Sequence, residues 1–198
     1  MTDKPQEKPK DRFYYRSNLE MSPEETELQI ETGEIFENDP ERDKKLSRRR
    51  LARERVMQAI YSKASGNGSD TDQLFTLVIA SDDKLGEQGT EFARDLLRRF
   101  STNEEAINAV ITERLANWDF ARVALIDKIL LQIGIAEFMY FPEIPPKATI
   151  NELIEIAKDF STDESSKFIN GILHKVKDDL AEKGLLNKEG RGLIDQSS

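Results

Sequence analysis

Pro145-Pro146-Lys147-Ala148-Thr149-Ile150-Asn151-Glu152-Leu153-Ile154-Glu155-Ile156-Ala157-Lys158-Asp159-Phe160 reads as the stop of one helix and the whole of the next, and Ser165-Ser166-Lys167-Phe168-Ile169-Asn170-Gly171-Ile172-Leu173 places another directly after it. The two prolines remove backbone donors and bias the preceding backbone away from helix, so a helix running up to Tyr140 must end before them. Thr149 with Glu152, and Ser161 with Glu164, have the spacing of capping boxes. Ile150, Leu153, Ile154, Ala157 and Phe160, then Ile169, Ile172, Leu173, Val176 and Leu180, recur at helical spacing and give each helix one inward face.

Upstream, the segment from about Phe120 to Tyr140 is apolar on most sides: Val123, Ala124, Leu125, Ile126, Ile129, Leu130, Leu131, Ile133, Ile135, Ala136 and Phe138 leave little polar surface. A helix of that kind is buried on most sides. Trp118, just before it, is expected in the core and not as a stacking platform. Earlier helices are expected over Lys45 to Lys63 (Leu51, Val56, Ala59 and Ile60 inward), from Asp70 or Thr71 through Ala80, and over Glu87 to Phe100. A further one is expected to start at a Ser101–Glu104 capping box. No stretch shows the period-two alternation of a half-buried strand. The expected fold is all-α, a bundle of about seven helices over residues 44–183. After Gly184 the chain turns polar, and residues 184–198 are expected to form a flexible tail.

The 198 residues suit one domain with an appended segment. With no cysteine and a single histidine, His174, neither a disulfide framework nor a dedicated metal site is expected, and no cofactor. The chain lacks a long apolar run or signal-peptide pattern, so a cytoplasmic protein without membrane contact is expected. The net charge of −9 is unevenly spread. Residues 1–43 hold 6 Lys/Arg against 13 Asp/Glu, a net of −7, together with Pro5, Pro9, Pro23 and Pro40. That composition points to disorder, and within it Phe13-Tyr14-Tyr15 reads either as stray aromatics or as a short docking element. Residues 44–55 hold 7 Lys/Arg against Glu54 alone, a net of +6.

Catalytic chemistry finds no footing. The one imidazole has no nucleophile in a recognisable pattern, and the carboxylate pairs Asp82-Asp83, Glu104-Glu105 and Asp178-Asp179 fall at helix ends or on polar faces. Gly66 and Gly68 lack the Lys-Ser/Thr of a phosphate-cradling loop. An enzyme is not expected. The basic tract offers more, because Arg48, Arg49, Arg50 and Arg53 sit at or before the first turns of a helix, where guanidinium forks and free backbone N–H groups both favour phosphate. Gln58 and Tyr61 follow at helical spacing and can pair with a base edge and stack on an unpaired base. A strip for single-stranded RNA and a merely solvated junction both account for this composition.

The run Arg48-Arg49-Arg50-Leu51-Ala52-Arg53-Glu54-Arg55-Val56-Met57-Gln58-Ala59-Ile60-Tyr61 resembles the opening of the NusB family of transcription antitermination proteins. Phe92-Ala93-Arg94-Asp95-Leu96-Leu97 is similar to that family's third-helix pattern, Trp118 through Glu137 to its central helix, and Ile150-Asn151-Glu152 with Lys167-Phe168-Ile169-Asn170-Gly171 to its most specific block. The resemblance implies an all-helical fold of two halves and a protein that binds the boxA element of ribosomal-RNA leader transcripts. It implies as partners the small-subunit ribosomal protein NusE and, indirectly, the RNA polymerase elongation complex. It places Arg48, Arg49, Arg50, Arg53, Gln58, Tyr61, Lys167 and Phe168 on the RNA surface and Glu164 near the partner. Periodicity alone favours the core for Phe168, while stacking on a base stays open. Leu51 is an extra residue against the family pattern and turns the three arginines by about 100° relative to the rest of the helix. The acidic leader also has no counterpart and can compete with RNA phosphates for the basic tract. Two other readings compete: a protein-interaction or ribosome-assembly module with little RNA contact, and an appendage of a ribosomal-RNA methyltransferase, which would require a glycine-rich cofactor-binding unit absent from this sequence.

Overall fold

The axis of the fold is the helix Leu125–Tyr140, whose buried residues Ile129, Leu130, Leu131, Ile133, Ile135, Ala136 and Phe138 cover most of its sides, while Leu125, Lys128 and Gln132 keep one narrow face partly exposed. The computed structural model describes residues 40–66, 70–115 and 123–196. In chain order the helices are α1 Pro40–Ala64, α2 Thr71–Leu74, α3 Gly86–Thr102, α4 Glu104–Arg114, α5 Leu125–Tyr140, α6 Pro146–Phe160 and α7 Asp163–Glu182. The described residues contain no strand. α5 packs against α1, α3, α4, α6 and α7, while α1 lies along α3, and α6 along α7. The chain from Pro40 onward forms one compact unit. The acidic leader up to Asp39, Phe13-Tyr14-Tyr15, Trp118 and the first residues of the expected Phe120 helix lie outside the described residues.

Several boundaries differ from those expected. α1 begins at Pro40, five residues before the expected Lys45, which puts the arginine tract in mid-helix. Asp70 caps α2, accepting from the Gln73 N–H at 2.8 Å, and the helix then widens into a π turn over Phe75–Ala80. This wider turn lets Leu74 and Ile79, five residues apart, both face inward, and leaves Leu77 exposed.

None of the three capping boxes forms. Ser101 stays within α3, and the single residue Asn103 separates α3 from α4. α6 starts at Pro146, whose missing N–H costs nothing at the first helical position, so Thr149 lies a full turn inside. At α7 the cap is Thr162, which accepts from the Ser165 N–H at 3.2 Å. Ser161 instead donates to the buried Asp127 at 2.7 Å, and Ser165 donates to the same carboxylate at 2.8 Å.

The segment after Gly184 is not a free tail. Gly184 takes φ +67, and the Leu185 and Leu186 N–H groups bond back to the Leu180 carbonyl, closing α7. The chain then returns to the end of α5. The Glu189 N–H donates to the Pro142 carbonyl, and Gly192 packs so closely on that oxygen that a Cβ there would collide with it. The buried Lys188 Nζ donates to the carbonyls of Glu137 at 3.0 Å and Phe141 at 2.8 Å, at the negative end of α5. Polarity misleads here because Lys188 is recruited as a cap.

Burial lowers the Lys188 pKa to about 8, with Glu137 and Glu143 pulling the other way. Below about pH 8 the lysine is charged in both folded and unfolded chains, whereas from there up to its ordinary value of 10.5 the unfolded chain holds more protons. Folding stability of the wild type, measured against Lys188→Met in denaturant titrations, is therefore expected to rise through that window. Its slope is at most about 1.4 kcal/mol per pH unit. A flat difference would mean that Lys188 titrates normally.

Candidate nucleic-acid interface

Successive residues on α1 turn by about 100°, and the arginine tract is divided accordingly. Arg53 falls with Val56 and Ile60 on the inward stripe and is 2% exposed. Its guanidinium meets Glu137 of α5 in a two-pronged pair, Nε to Oε1 at 2.7 Å and Nη2 to Oε2 at 2.9 Å, and Thr149 of α6 donates to the same carboxylate at 2.6 Å. Burial works against the Arg53 charge, but the Glu137 charge and hydrogen bonds outweigh it, and the pKa is raised. The expectation that Arg53 offers its guanidinium on an exposed strip is corrected. It ties α1, α5 and α6 together from inside.

Arg49 lies one turn before Arg53, and the two guanidiniums sit over the Phe92 ring of α3 at 5.4 and 5.2 Å from its centroid. Phe92 in turn meets Phe141 edge to face at 5.7 Å. Burial, and next the charge of Arg53, lower the Arg49 pKa, partly offset by Glu143 and Glu137. Arg50 points the other way, to α6, where Nε donates to Glu152 at 2.7 Å and Nη2 at 3.3 Å. Burial opposes its charge, yet the Glu152 hydrogen bond and charge raise its pKa. Both residues of the expected Thr149–Glu152 capping box thus serve arginines of α1. Arg48 is exposed beside the first turn of α3, where a Cβ on Gly86 would come 3.8 Å from its Cζ.

Gln58 and Tyr61 follow Arg50 and Glu54 on the same face of α1, and Tyr61 is 44% exposed. Gln58 accepts from Arg55 Nη1 at 3.2 Å, and Arg55 also holds Asp82 at 2.6 Å. Glu54 interrupts this face. Burial raises its pKa, aided by Asp159 and Glu152, while Arg55 and Arg50 oppose the rise. Lys167 and Glu164 are exposed in the first turns of α7, whereas Phe168 is half-buried against the core. α6 packs against both α1 and α7. Sequence reasoning overlooked Arg94 and Arg98, because they look like the polar face of an ordinary helix until α3 is laid along α1. With Arg48, Arg49, Phe92 and Phe141 they line a cleft of about 610 Å³.

The NusB family pattern matches residues 50–178, from Arg50 within the tract to near the end of α7. The chain belongs to the NusB family. It is 40% identical over 147 residues to the transcription antitermination protein NusB of Chloroherpeton thalassium, covering 74% of this chain and 69% of that one. With the NusB of Salinibacter ruber it shares 38% over 149 residues, covering 75% and 92%. Among solved structures, NusB of T. maritima aligns with a TM-score of 0.61 at 30% identity, over 66% of this chain and 90% of that one. A structure of the antitermination factors NusB and NusE in complex with dsRNA shares the fold, with a TM-score of 0.61 at 20% identity over 67% of this chain and 98% of that one. Within the NusB-matched region lie the buried Arg53–Glu137–Thr149 cluster and the whole α1 face from Arg50 to Tyr61. The docked segment around Lys188 lies outside it.

Proposed function

We propose that this protein is a non-enzymatic, cytoplasmic transcription antitermination factor that binds the boxA element of ribosomal-RNA leader transcripts together with the ribosomal protein NusE. Through that complex it acts on elongating RNA polymerase. The observation that carries this reading is the α1 face, where a half-exposed Tyr61, Gln58 and Arg50 line up on a helix of a NusB-family scaffold. A relative of the same fold is known in complex with NusE and dsRNA. Tyr61, 44% exposed, supplies an aromatic ring of the kind on which an unpaired base stacks without sequence preference, and Arg50, held in place by Glu152, presents its remaining N–H groups in a fixed orientation. Arg53 acts from below by holding the Phe92 ring on which Arg49 rests. Lys167, Phe168 and Glu164 at the start of α7 extend the surface toward the partner.

The test is a titration of boxA-type single-stranded RNA with the protein alone and with NusE, over a salt series. Tyr61→Ala is expected to cost about 1 to 3 kcal/mol of binding with little change in salt dependence, the mark of stacking removed without any loss of charge. Tight NusE binding with no RNA retention under any of these conditions would point to a protein-interaction module instead.

A further inference from the structure

Among the described side chains from Arg48 onward, the arginines without a carboxylate at ion-pair distance are Arg48, Arg49, Arg94 and Arg191; Arg50, Arg53, Arg55, Arg98, Arg99 and Arg114 each have one. Three of those four line the cleft between α1 and α3, and the charge of the fourth reaches Arg49 from the C-terminal segment. An uncompensated cluster of this kind is unusual on a chain of net charge −9. Of the acids lining the cleft, Asp95 is already held by Arg98 at 2.7 Å and Arg99 at 2.8 Å, which leaves the exposed Glu91 and Glu143.

Arg48, Arg49 and Arg94 are held in place without being neutralised, whereas Arg98 shares Asp95 and has further N–H groups to offer. Arg49 lies over Phe92, and Arg94 over Phe75 at 4.5 Å from its centroid. Stacking engages the flat face of a guanidinium and leaves its N–H edge free, and the edge is what binds phosphate. Arg48 sits against Gly86 and Gly89 in the first turn of α3, the positive end of a 17-residue helix and a poor place for a lone cation. An anion shared between that turn and Arg48 removes the conflict.

We propose that the α1–α3 cleft is a second phosphate-binding site, in which Arg48, Arg49, Arg94 and Arg98 hold the sugar-phosphate backbone of the RNA beyond the α1 face. The proposal rests on the RNA-binding reading above and adds α3 to it. Tyr61 lies 12 residues beyond Arg49, about 18 Å along the helix, so the cleft and the stacking position mark opposite ends of one path.

Arg94→Ala and Arg94→Ala/Arg98→Ala are compared with wild type, with NusE present, on a long RNA that spans both ends and a short one that reaches only Tyr61. On the long RNA the salt slope of log K is expected to fall by about 0.7 for each phosphate that is no longer held, with the short RNA unaffected. Tyr61→Ala weakens both. Arg94→Gln keeps a planar group on Phe75 and serves if the alanine variants lose their helical signal. An unchanged slope on the long RNA, in variants that remain folded, overturns the cleft assignment while leaving RNA binding itself intact. Calorimetry with pyrophosphate separates the sources of the anion: binding that Arg94→Ala removes, with no effect on RNA, assigns the cleft to small phosphates and overturns the proposal. Failure of wild type to retain either RNA overturns both readings.

Discussion

Replacing Glu137 with alanine is expected to lower the folding free energy by about 3 to 5 kcal/mol, read as a shift of the midpoint in a urea titration. The size comes from what is left behind. Glu137 is 0% exposed and Arg53 2%, so removing the carboxylate strands a guanidinium whose two hydrogen bonds have no water to replace them. The Thr149 hydroxyl loses its acceptor in the same step. Breaking one side of a buried pair costs far more than the pair is worth, because the solvation lost on burial is no longer offset. Removing both charges at once with apolar residues of similar volume, Arg53→Met with Glu137→Leu, is expected to recover most of the loss. If Glu137→Ala behaves like an ordinary surface substitution, below about 0.5 kcal/mol, then water reaches Arg53 and the cluster does not seal the interior. The same substitution should also weaken RNA binding, since Arg53 and Arg49 share the Phe92 ring.

That pair also shows what the sequence made legible and what it did not. Helical periodicity was enough for the all-α fold, because α5 carries so little polar surface that no other placement buries it, and because Leu51, Val56, Ala59 and Ile60 repeat with the period of α1. The capping boxes failed for a different reason. A Ser/Thr-x-x-Glu pattern is a local signal, but Thr149 and Glu152 are claimed by partners 12 and 102 residues away. The tract itself reads as four equivalent arginines. Two signals distinguish them: Arg53 keeps step with Val56 and Ile60, and Glu137 is a carboxylate in a helix otherwise surrounded by apolar neighbours, where a charge without a counter-ion is not tolerated. Arg94 and Arg98 have no such signal. Their significance arises only from the packing of α3 on α1, a long-range arrangement that neither helix encodes by itself.

Leu173→Ala is expected to cost about 2 to 5 kcal/mol, and its coupling to Gly134 tests how tightly the centre of the fold is filled. Gly134 lies where α5 crosses α6 and α7. A Cβ added there would come within 2.7 Å of Leu173 Cδ2 and 3.0 Å of Leu153 Cδ1. Both neighbours are fully buried and have nowhere to retreat, so Gly134→Ala should destabilise by about 1 to 3 kcal/mol despite the better helix propensity of alanine. The two losses should not add. Truncating Leu173 removes both δ carbons that approach the new methyl, and the methyl then fills part of the cavity the truncation opens. The double variant is therefore expected to lose less than the sum of the single losses, with a coupling of about 0.5 to 3 kcal/mol in a double-mutant cycle. Simple additivity would mean that the helices move apart at Gly134 to admit the methyl, and that the close approach of α5 to α7 is not what fixes their separation.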